Sequence, residues 1–370
     1  MRKILIVFGT RPEAIKMAPL INKIKDTSSL SAKVCVTAQH REMLDSVLYL
    51  FEIEPDYDLN LMRSKQTITD VTIRVLKGLE DIIEQEKPDL VLVQGDTTTS
   101  MAAALAAFYQ QITVGHVEAG LRSGNIYSPF PEEMNRRLTG TIAQLHFAPT
   151  EGNKRNLLDG GIKEKQIFIT GNTVIDALYM VIKKNYRFPI PLLNELDYDK
   201  KKVILMTAHR RENWGEGMRN IFLAVRSILE NNLDTELVFP VHLNPIVKDL
   251  ADEVFASLPR AHIISPLDYA PFVNLMSRSF LVLTDSGGIQ EEAPALGKPV
   301  IVLRNETERP EAVEAGTVKI AGIEQGNINR LTQKLIDDKN EYEKMAKAIN
   351  PYGDGHAAER IAEHIEEWFA

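Results

Sequence analysis

The feature that most constrains this chain is one alternation that occurs twice. Short runs rich in Val, Ile and Leu are separated by stretches of helical periodicity, with a single interruption near the middle. Residues 3–8, 32–37, 90–94, 113–117, 145–148 and 167–170 read as buried strands. The intervening pattern predicts helices over 15–25, 42–50, 67–85, 100–110 and 151–158. Apolar strands separated by helices imply βαβ units and a parallel sheet covered on both faces. The pattern lapses over 187–202, where Pro189, Pro191 and the run Asp197-Tyr198-Asp199-Lys200 read as a linker. It restarts with strands predicted over 203–206, 236–239, 262–264, 280–283, 299–303 and 318–320. A helix over 357–368 follows, and the periodicity leaves its docking partner open. The expectation is an α/β protein with two doubly wound, Rossmann-like domains facing a central cleft, 1–185 and 186–356.

Composition agrees with that division. At roughly 150 residues per domain, 370 residues give two domains, each able to bury a core. No apolar run approaches the about 18 residues that a membrane helix needs. The segment Gly9-Thr10-Arg11-Pro12-Glu13 breaks the first apolar run before a signal peptide could form. A net charge of −8 argues against a nucleic-acid footprint. The single cysteine, Cys35, excludes an internal disulfide and a thiolate zinc site. A soluble, cytoplasmic protein is expected, with no membrane or nucleic-acid partner.

In open α/β sheets, ligands bind beyond the carboxyl ends of the strands. That rule selects Arg11 and Lys16 after the first strand, Asp96 after 90–94, and Glu118 after 113–117, with Glu132 and Arg136 opening a later helix. Crowded carboxylates have pKa values pushed apart, which suits acid and base roles at one pH. The alternatives are that Asp96 caps a helix and that Glu118 pairs with Arg122 on a solvated rim. In the second half, His209, Arg210 and Arg211 follow a strand end, where His209 could equally make a structural hydrogen bond. Ser286-Gly287-Gly288 reads as a tight turn whose amides approach an anion, and Glu292 can accept hydrogen bonds from both hydroxyls of a ribose. A plain strand-to-helix turn can also carry that tripeptide.

Several motifs are missing. The Walker spacing, the dinucleotide fingerprint, His-Glu-x-x-His and Gly-x-Ser-x-Gly do not occur, and the eight histidines lack metal-ligand spacing. Gly353-Asp354-Gly355-His356-Ala357-Ala358 follows no strand and reads as a turn. A dehydrogenase, a zinc hydrolase and an α/β-hydrolase are disfavoured, and no metal or cofactor is expected.

The motifs as a set resemble a known family. They are Gly9-Thr10-Arg11-Pro12-Glu13-Ala14-Ile15-Lys16, Thr37-Ala38-Gln39-His40-Arg41, Gln94-Gly95-Asp96-Thr97 and His116-Val117-Glu118-Ala119-Gly120-Leu121-Arg122. Further along come Phe130-Pro131-Glu132-Glu133-x-Asn135-Arg136, His209-Arg210-Arg211-Glu212-Asn213, Asp285-Ser286-Gly287-Gly288-x-Gln290-Glu291-Glu292 and Asn350-Pro351-Tyr352-Gly353-Asp354-Gly355. Together they resemble the non-hydrolysing bacterial UDP-N-acetylglucosamine 2-epimerases. The resemblance implies the GT-B fold, nucleotide binding mainly by the second domain, a final helix (357–370) crossing back to the first, and a homodimer. It also implies interconversion of UDP-GlcNAc and UDP-ManNAc without NAD, an isomerase activity feeding cell-surface polysaccharide biosynthesis.

Since C2–H of a pyranose is not acidic, inversion requires oxidation or loss of the C1 leaving group. Without a dinucleotide motif, anti elimination of UDP to 2-acetamidoglucal and re-addition remains. By resemblance, Asp96, Glu118 and Glu132 carry the proton chemistry, with His209 near the departing phosphate. Arg11, Lys16, Arg136, Phe272, Ser286, Gly287, Gly288 and Glu292 then bind substrate, Phe272 near the uracil and Arg136 in the sugar site. Gln39, Arg210 and His242 stand where ligands of an activating UDP-GlcNAc are expected, while Glu42 and Lys65 replace the Gln and Arg of some members. The competing readings are a 2-epimerase of a modified UDP-N-acetyl sugar, a GT-B glycosyltransferase, a hydrolysing epimerase and a non-catalytic nucleotide-sugar sensor.

Overall fold

The computed structural model describes residues 1–38, 41–63 and 66–370, with the backbone alone at 41 and 42. It forms two compact units, Met1–Met180 with Tyr352–Ala370, and Val181–Pro351.

The first unit is built on seven strands, β1 (Arg2–Phe8), β2 (Leu30–Val36), β3 (Tyr57–Asp58), β4 (Leu90–Gln94), β5 (Thr113–Val117), β6 (Leu145–Ala148) and β7 (Ile167–Ile169). All pair in parallel in the order β3-β2-β1-β4-β5-β6-β7. Six of these follow the predicted runs to within a few residues. β3 was not predicted, because two residues carry no periodicity; only the pairings Cys35↔Tyr57 and Val36↔Asp58 make it a strand. Leu5, Val7, Val91 and Val93 pack against Val71, Val75 and Leu79 of the helix Ile68–Glu86. The helix Thr98–Tyr109 buries Ala102, Ala103, Ala104, Ala106 and Ala107, and these small side chains let it approach the sheet closely.

The second unit repeats the plan with β8 (Lys202–Thr207), β9 (Thr235–Pro240), β10 (Ala261–Ile264), β11 (Leu281–Thr284), β12 (Val300–Val302) and β13 (Val318–Ile320). Their order is β10-β9-β8-β11-β12-β13, again parallel. In each sheet the chain reverses direction of travel once, between β1 and β4 and between β8 and β11. Loops leaving such a pair diverge and open a crevice at the strands' carboxyl ends.

Two connections differ from a plain reading of the sequence. The stretch 187–202, expected as a linker, holds the helix Pro191–Glu195 and the start of β8. Asn194 fixes it by accepting from the Phe188 amide and donating to the Phe188 carbonyl, each at 2.9 Å. The buried Phe188 ring meets Tyr186 edge-on, and the Arg278 guanidinium lies over it. These are tertiary contacts without a periodic trace. The last helix, Ala357–Phe369, packs on Arg11–Asp26 of the first unit. Asp176 accepts from the amides of Ala357 and Ala358 at 3.2 and 2.8 Å, so a residue from another helix supplies the N-terminal cap.

The loop after β5 turns through Gly120 at φ +94°, and Asn156 Nδ2 donates to its carbonyl at 3.0 Å. A Cβ there would collide with the backbone carbonyl of Asn153 in the helix Glu151–Asp159. Gly120→Ala is therefore expected to cost about 2–4 kcal/mol through the disfavoured φ and the displaced helix. Urea unfolding monitored by circular dichroism checks this; an unchanged midpoint would show that the helix yields freely.

Candidate active site

At the first switch point, the loops after β1 and β4 are tied together by a buried carboxylate. Gly9 ends β1 so close to Thr37 and Thr99 that a Cβ would overlap the Thr37 hydroxyl. The helix Arg11–Asp26 then begins, with Thr10 as N-cap and Glu13 in its first turn. Glu13 accepts from the amides of Gly9 and Thr10 at 3.1 and 2.8 Å. Its other oxygen accepts from the Thr97 and Ser100 hydroxyls at 2.7 and 3.0 Å. Burial raises the Glu13 pKa, and these four donors oppose that effect.

The predicted charged residues of this unit occur as pairs. Lys16 Nζ lies 2.7 and 2.6 Å from the two oxygens of Glu118, 102 positions away. Glu118 has φ +63° and also accepts from Gln94 and, at 3.0 Å, from Asn172. Its partner is thus Lys16, while Arg122 donates to the Leu121 carbonyl. Asp96 receives Arg136 through Nε at 2.9 Å and Nη2 at 2.7 Å. Asp96 does not cap the following helix; Thr97 does, accepting from the Ser100 amide. The Asp96 carbonyl accepts from Asn135 Nδ2 at 2.9 Å, so two side chains of the helix Glu132–Ile142 hold that residue.

Arg136 is held in turn by Glu133 at 3.2 Å. Burial acts to raise the Glu133 pKa, but the Ser123 amide, Arg137 and Arg136 outweigh it and leave the carboxyl below its ordinary range. Glu132 stands four residues before Arg136, on the same helix face. Its Oε2 is buried with no hydrogen-bond partner among the described residues. The Arg11 guanidinium likewise has no hydrogen-bond or ion-pair partner among the described residues and is half-buried at the start of its helix. One edge of this sheet therefore presents two ion-paired carboxylates and a third with an open oxygen, a set able to take a proton at one atom and return it at another.

The second switch point is organised by Asp285, fully buried after β11. Its Oδ2 accepts from the amides of His209 and Arg210, both at 2.8 Å, and lies 3.4 Å from Asn213 Nδ2. His209 Nδ1 is 3.3 Å from Asp285 Oδ1, while its side chain remains 45% exposed. The His209 ring stacks on His242 with centroids 5.9 Å apart and planes 12° from parallel. A pocket of about 200 Å³ is lined by His209, His242, Leu267, Phe272, Ser286 and Ile289, among others. That volume suits a flat ring rather than a whole nucleotide sugar.

Beside it, Ser286 donates its amide to Thr284 Oγ1 at 3.0 Å, and Glu292 accepts from Tyr269 at 3.1 Å. The Arg309 guanidinium, paired with Glu291, lies against Gly287.

His209, Phe272 and Ser286 are brought together with His242, which the sequence reading had placed in a separate activator set. Arg210 shares the Asp285 anchor through its amide, and Gln39 lies outside the described residues. Glu13, Asn135, Glu133 and Arg309 were missed as site residues. Glu13, Glu133, Asn135 and Asp285 stand inside the motifs without a role, although a buried acid immediately after a strand end, Asp285, is a usable signal. Among the described residues, no group of three or more His, Cys, Asp or Glu could hold a metal ion.

Comparison with known proteins supplies the remaining context. Residues 22–366 match the family described as UDP-N-acetylglucosamine 2-epimerase. The chain is 54% identical over 363 residues to UDP-N-acetylglucosamine 2-epimerase of Bacillus subtilis, covering 98% of this chain and 94% of that one. It is similar to the crystal structure of UDP-GlcNAc 2-epimerase from Neisseria meningitidis bound to UDP-GlcNAc. There the TM-score is 0.90 and the identity 53%, with 99% and 100% of the two chains covered. The Methanocaldococcus jannaschii UDP-GlcNAc 2-epimerase in complex with UDP-GlcNAc and UDP matches with TM-score 0.79 and 34% identity over 99% of each chain. The two doubly wound sheets are of the GT-B type that these structures share. Likeness at this level, carried along nearly the whole chain, establishes that it belongs to the UDP-N-acetylglucosamine 2-epimerase family.

Proposed function

We propose that this protein interconverts UDP-GlcNAc and UDP-ManNAc by elimination and re-addition of UDP, without NAD. The observation that carries the reading is the set of carboxylates at one sheet edge, each held differently: Glu118 on Lys16, Asp96 on Arg136, and Glu132 with an open oxygen. In the first half-reaction a carboxylate takes the C2 proton, the C1–O bond breaks with its electron pair leaving on UDP, and C1=C2 forms. In the second, C2 is protonated on the opposite face while a diphosphate oxygen attacks C1. Two faces require two proton-handling groups.

The second unit holds the nucleotide. Phe272 and the pocket around it take the uracil, Glu292 the ribose, and the Ser286-Gly287-Gly288 turn with His209 the diphosphate. Activation by UDP-GlcNAc through Gln39, Arg210 and His242 is part of the proposal, and the His209–His242 stack supports it by linking the two sets of residues. The protein acts in the cytoplasm as a homodimer, supplying an activated sugar for cell-surface polysaccharide. The exposed Ile73, Phe108, Tyr109 and Leu138, on helices that pack side by side, favour self-association. No helix among the described residues is long and apolar enough to cross a membrane.

In D2O, UDP-ManNAc formed from UDP-GlcNAc should carry deuterium at C2, since the carboxylate's proton exchanges before return. Asp96→Asn, Glu118→Gln and Glu132→Gln should each lose about 10²–10⁴-fold in rate. Mass spectrometry of the product checks the first, and retained protium together with NAD-dependent activity would refute the elimination route. Glu292→Gln should raise KM for UDP-sugar more than it lowers kcat, because a ribose contact is shared by ground and transition states. Steady-state kinetics decides, and a collapsed kcat at wild-type KM would remove Glu292 from that role. UDP-ManNAc alone should react after a lag that a trace of UDP-GlcNAc abolishes; progress curves without a lag would show the activator residues to be silent.

A further inference from the structure

Three side chains, Asn135 and Arg136 of the helix Glu132–Ile142 and Glu13 of the helix Arg11–Asp26, hold the Asp96 loop. A fourth holds it from inside the sheet. His116 lies on β5, beside Val93 of β4 on one side and His146 of β6 on the other. Its Nε2 is 2.7 Å from the carbonyl oxygen of Gly95, the residue immediately before Asp96. Gly95 has φ +68° and spends its amide on the Val117 carbonyl at 3.0 Å. Both polar groups of that peptide position are therefore fixed by β5, two residues before Glu118.

We propose that His116 is a positioning residue for the proton chemistry at Asp96, acting as a fixed Nε2–H donor to the Gly95 carbonyl. This rests on the epimerase reading for its activity test but not for its structural test. A carbonyl only accepts, so Nε2 carries the ring proton and the tautomer is set. Nδ1 is buried without a partner among the described residues, so the ring has no route to solvent through that atom. Burial pushes the His116 pKa down to about 4; the Gly95 bond, Asp96 and Glu118 act against burial, and Arg122 acts with it. His146, the neighbour across the ladder, is likewise pushed to about 3 by burial, with the charges of His116 and Arg122 acting the same way. An imidazole kept neutral across the working range of an enzyme holds its hydrogen bond without exchanging protons with substrate. Loss of that bond would leave a half-buried carbonyl without its partner next to Asp96 and let the carboxylate drift from its reacting position.

The test uses two replacements in the full-length chain. His116→Phe keeps the volume and removes the donor, whereas His116→Gln can bring an amide N–H to the same carbonyl. His116→Phe should lose about 10- to 100-fold in kcat with KM for UDP-sugar within about 3-fold, and His116→Gln should stay within about 5-fold of the parent. Equal losses in both variants, or full activity in His116→Phe, would overturn the proposal. If His116→Phe fails to fold, His116→Asn replaces it, because its shorter amide cannot reach Gly95 and should lose kcat while His116→Gln does not. Independently of any activity, the ¹⁵N imidazole spectrum of the parent should show His116 as the neutral Nε2–H tautomer from pH 5 to 9. A protonated ring or the other tautomer there would refute the hydrogen bond itself. Absence of epimerase activity with that spectrum intact would instead count against the epimerase reading.

Discussion

A buried carboxylate at each switch point is the interaction on which the rest of the arrangement depends. In the first unit Glu13 leaves the loop after β1, returns to the amides of Gly9 and Thr10, and reaches across to Thr97 and Ser100 after β4. In the second unit Asp285 leaves the loop after β11 and reaches back to the amides of His209 and Arg210 after β8. The donor and recipient strands are exchanged, but the physical result is the same. A charge taken out of water is tolerated only where several donors meet it, so each loop must adopt the one conformation that supplies them. Arg11, Lys16 and Asp96 in one unit, and His209 in the other, inherit their positions from that requirement.

The same topology then presents two different sets of side chains. In the first unit the edge is crowded with full charges, paired as Lys16–Glu118 and as Asp96–Arg136–Glu133. In the second unit it presents amides, a histidine pair and a ring-sized apolar pocket, with its acids Asp285 and Glu291 turned to structural partners. Proton transfer needs ionisable groups close to one another, whereas holding a diphosphate needs donors without competing negative charge. Under the proposed function, two copies of one fold would meet these opposed demands separately, so function has to be read at the loops and not from the sheets.

Much of this was legible along the chain, and the reason is periodicity. Buried parallel strands are short apolar runs, helices repeat at 3.6 residues, and both signals are local. The candidate acids Asp96, Glu118 and Glu132 could be picked out because each follows a strand end or opens a helix, positions that a one-dimensional reading can count. Where no local signal exists the reading failed: the two-residue β3, the aromatic-anchored segment 187–202, and the capping of Ala357–Phe369 by Asp176.

Two parallel α/β units, the strand ends that carry the candidate acids, and the motif set that marks the family can all be read from local runs of residues. Which groups meet is a matter of three-dimensional packing. That Glu118 pairs with Lys16 rather than Arg122 and that His116 reaches the Gly95 carbonyl both follow from the order β1-β4-β5 in the sheet. Strand order is set by how buried faces and crossover helices pack over the whole unit, a long-range condition that no local run of residues encodes.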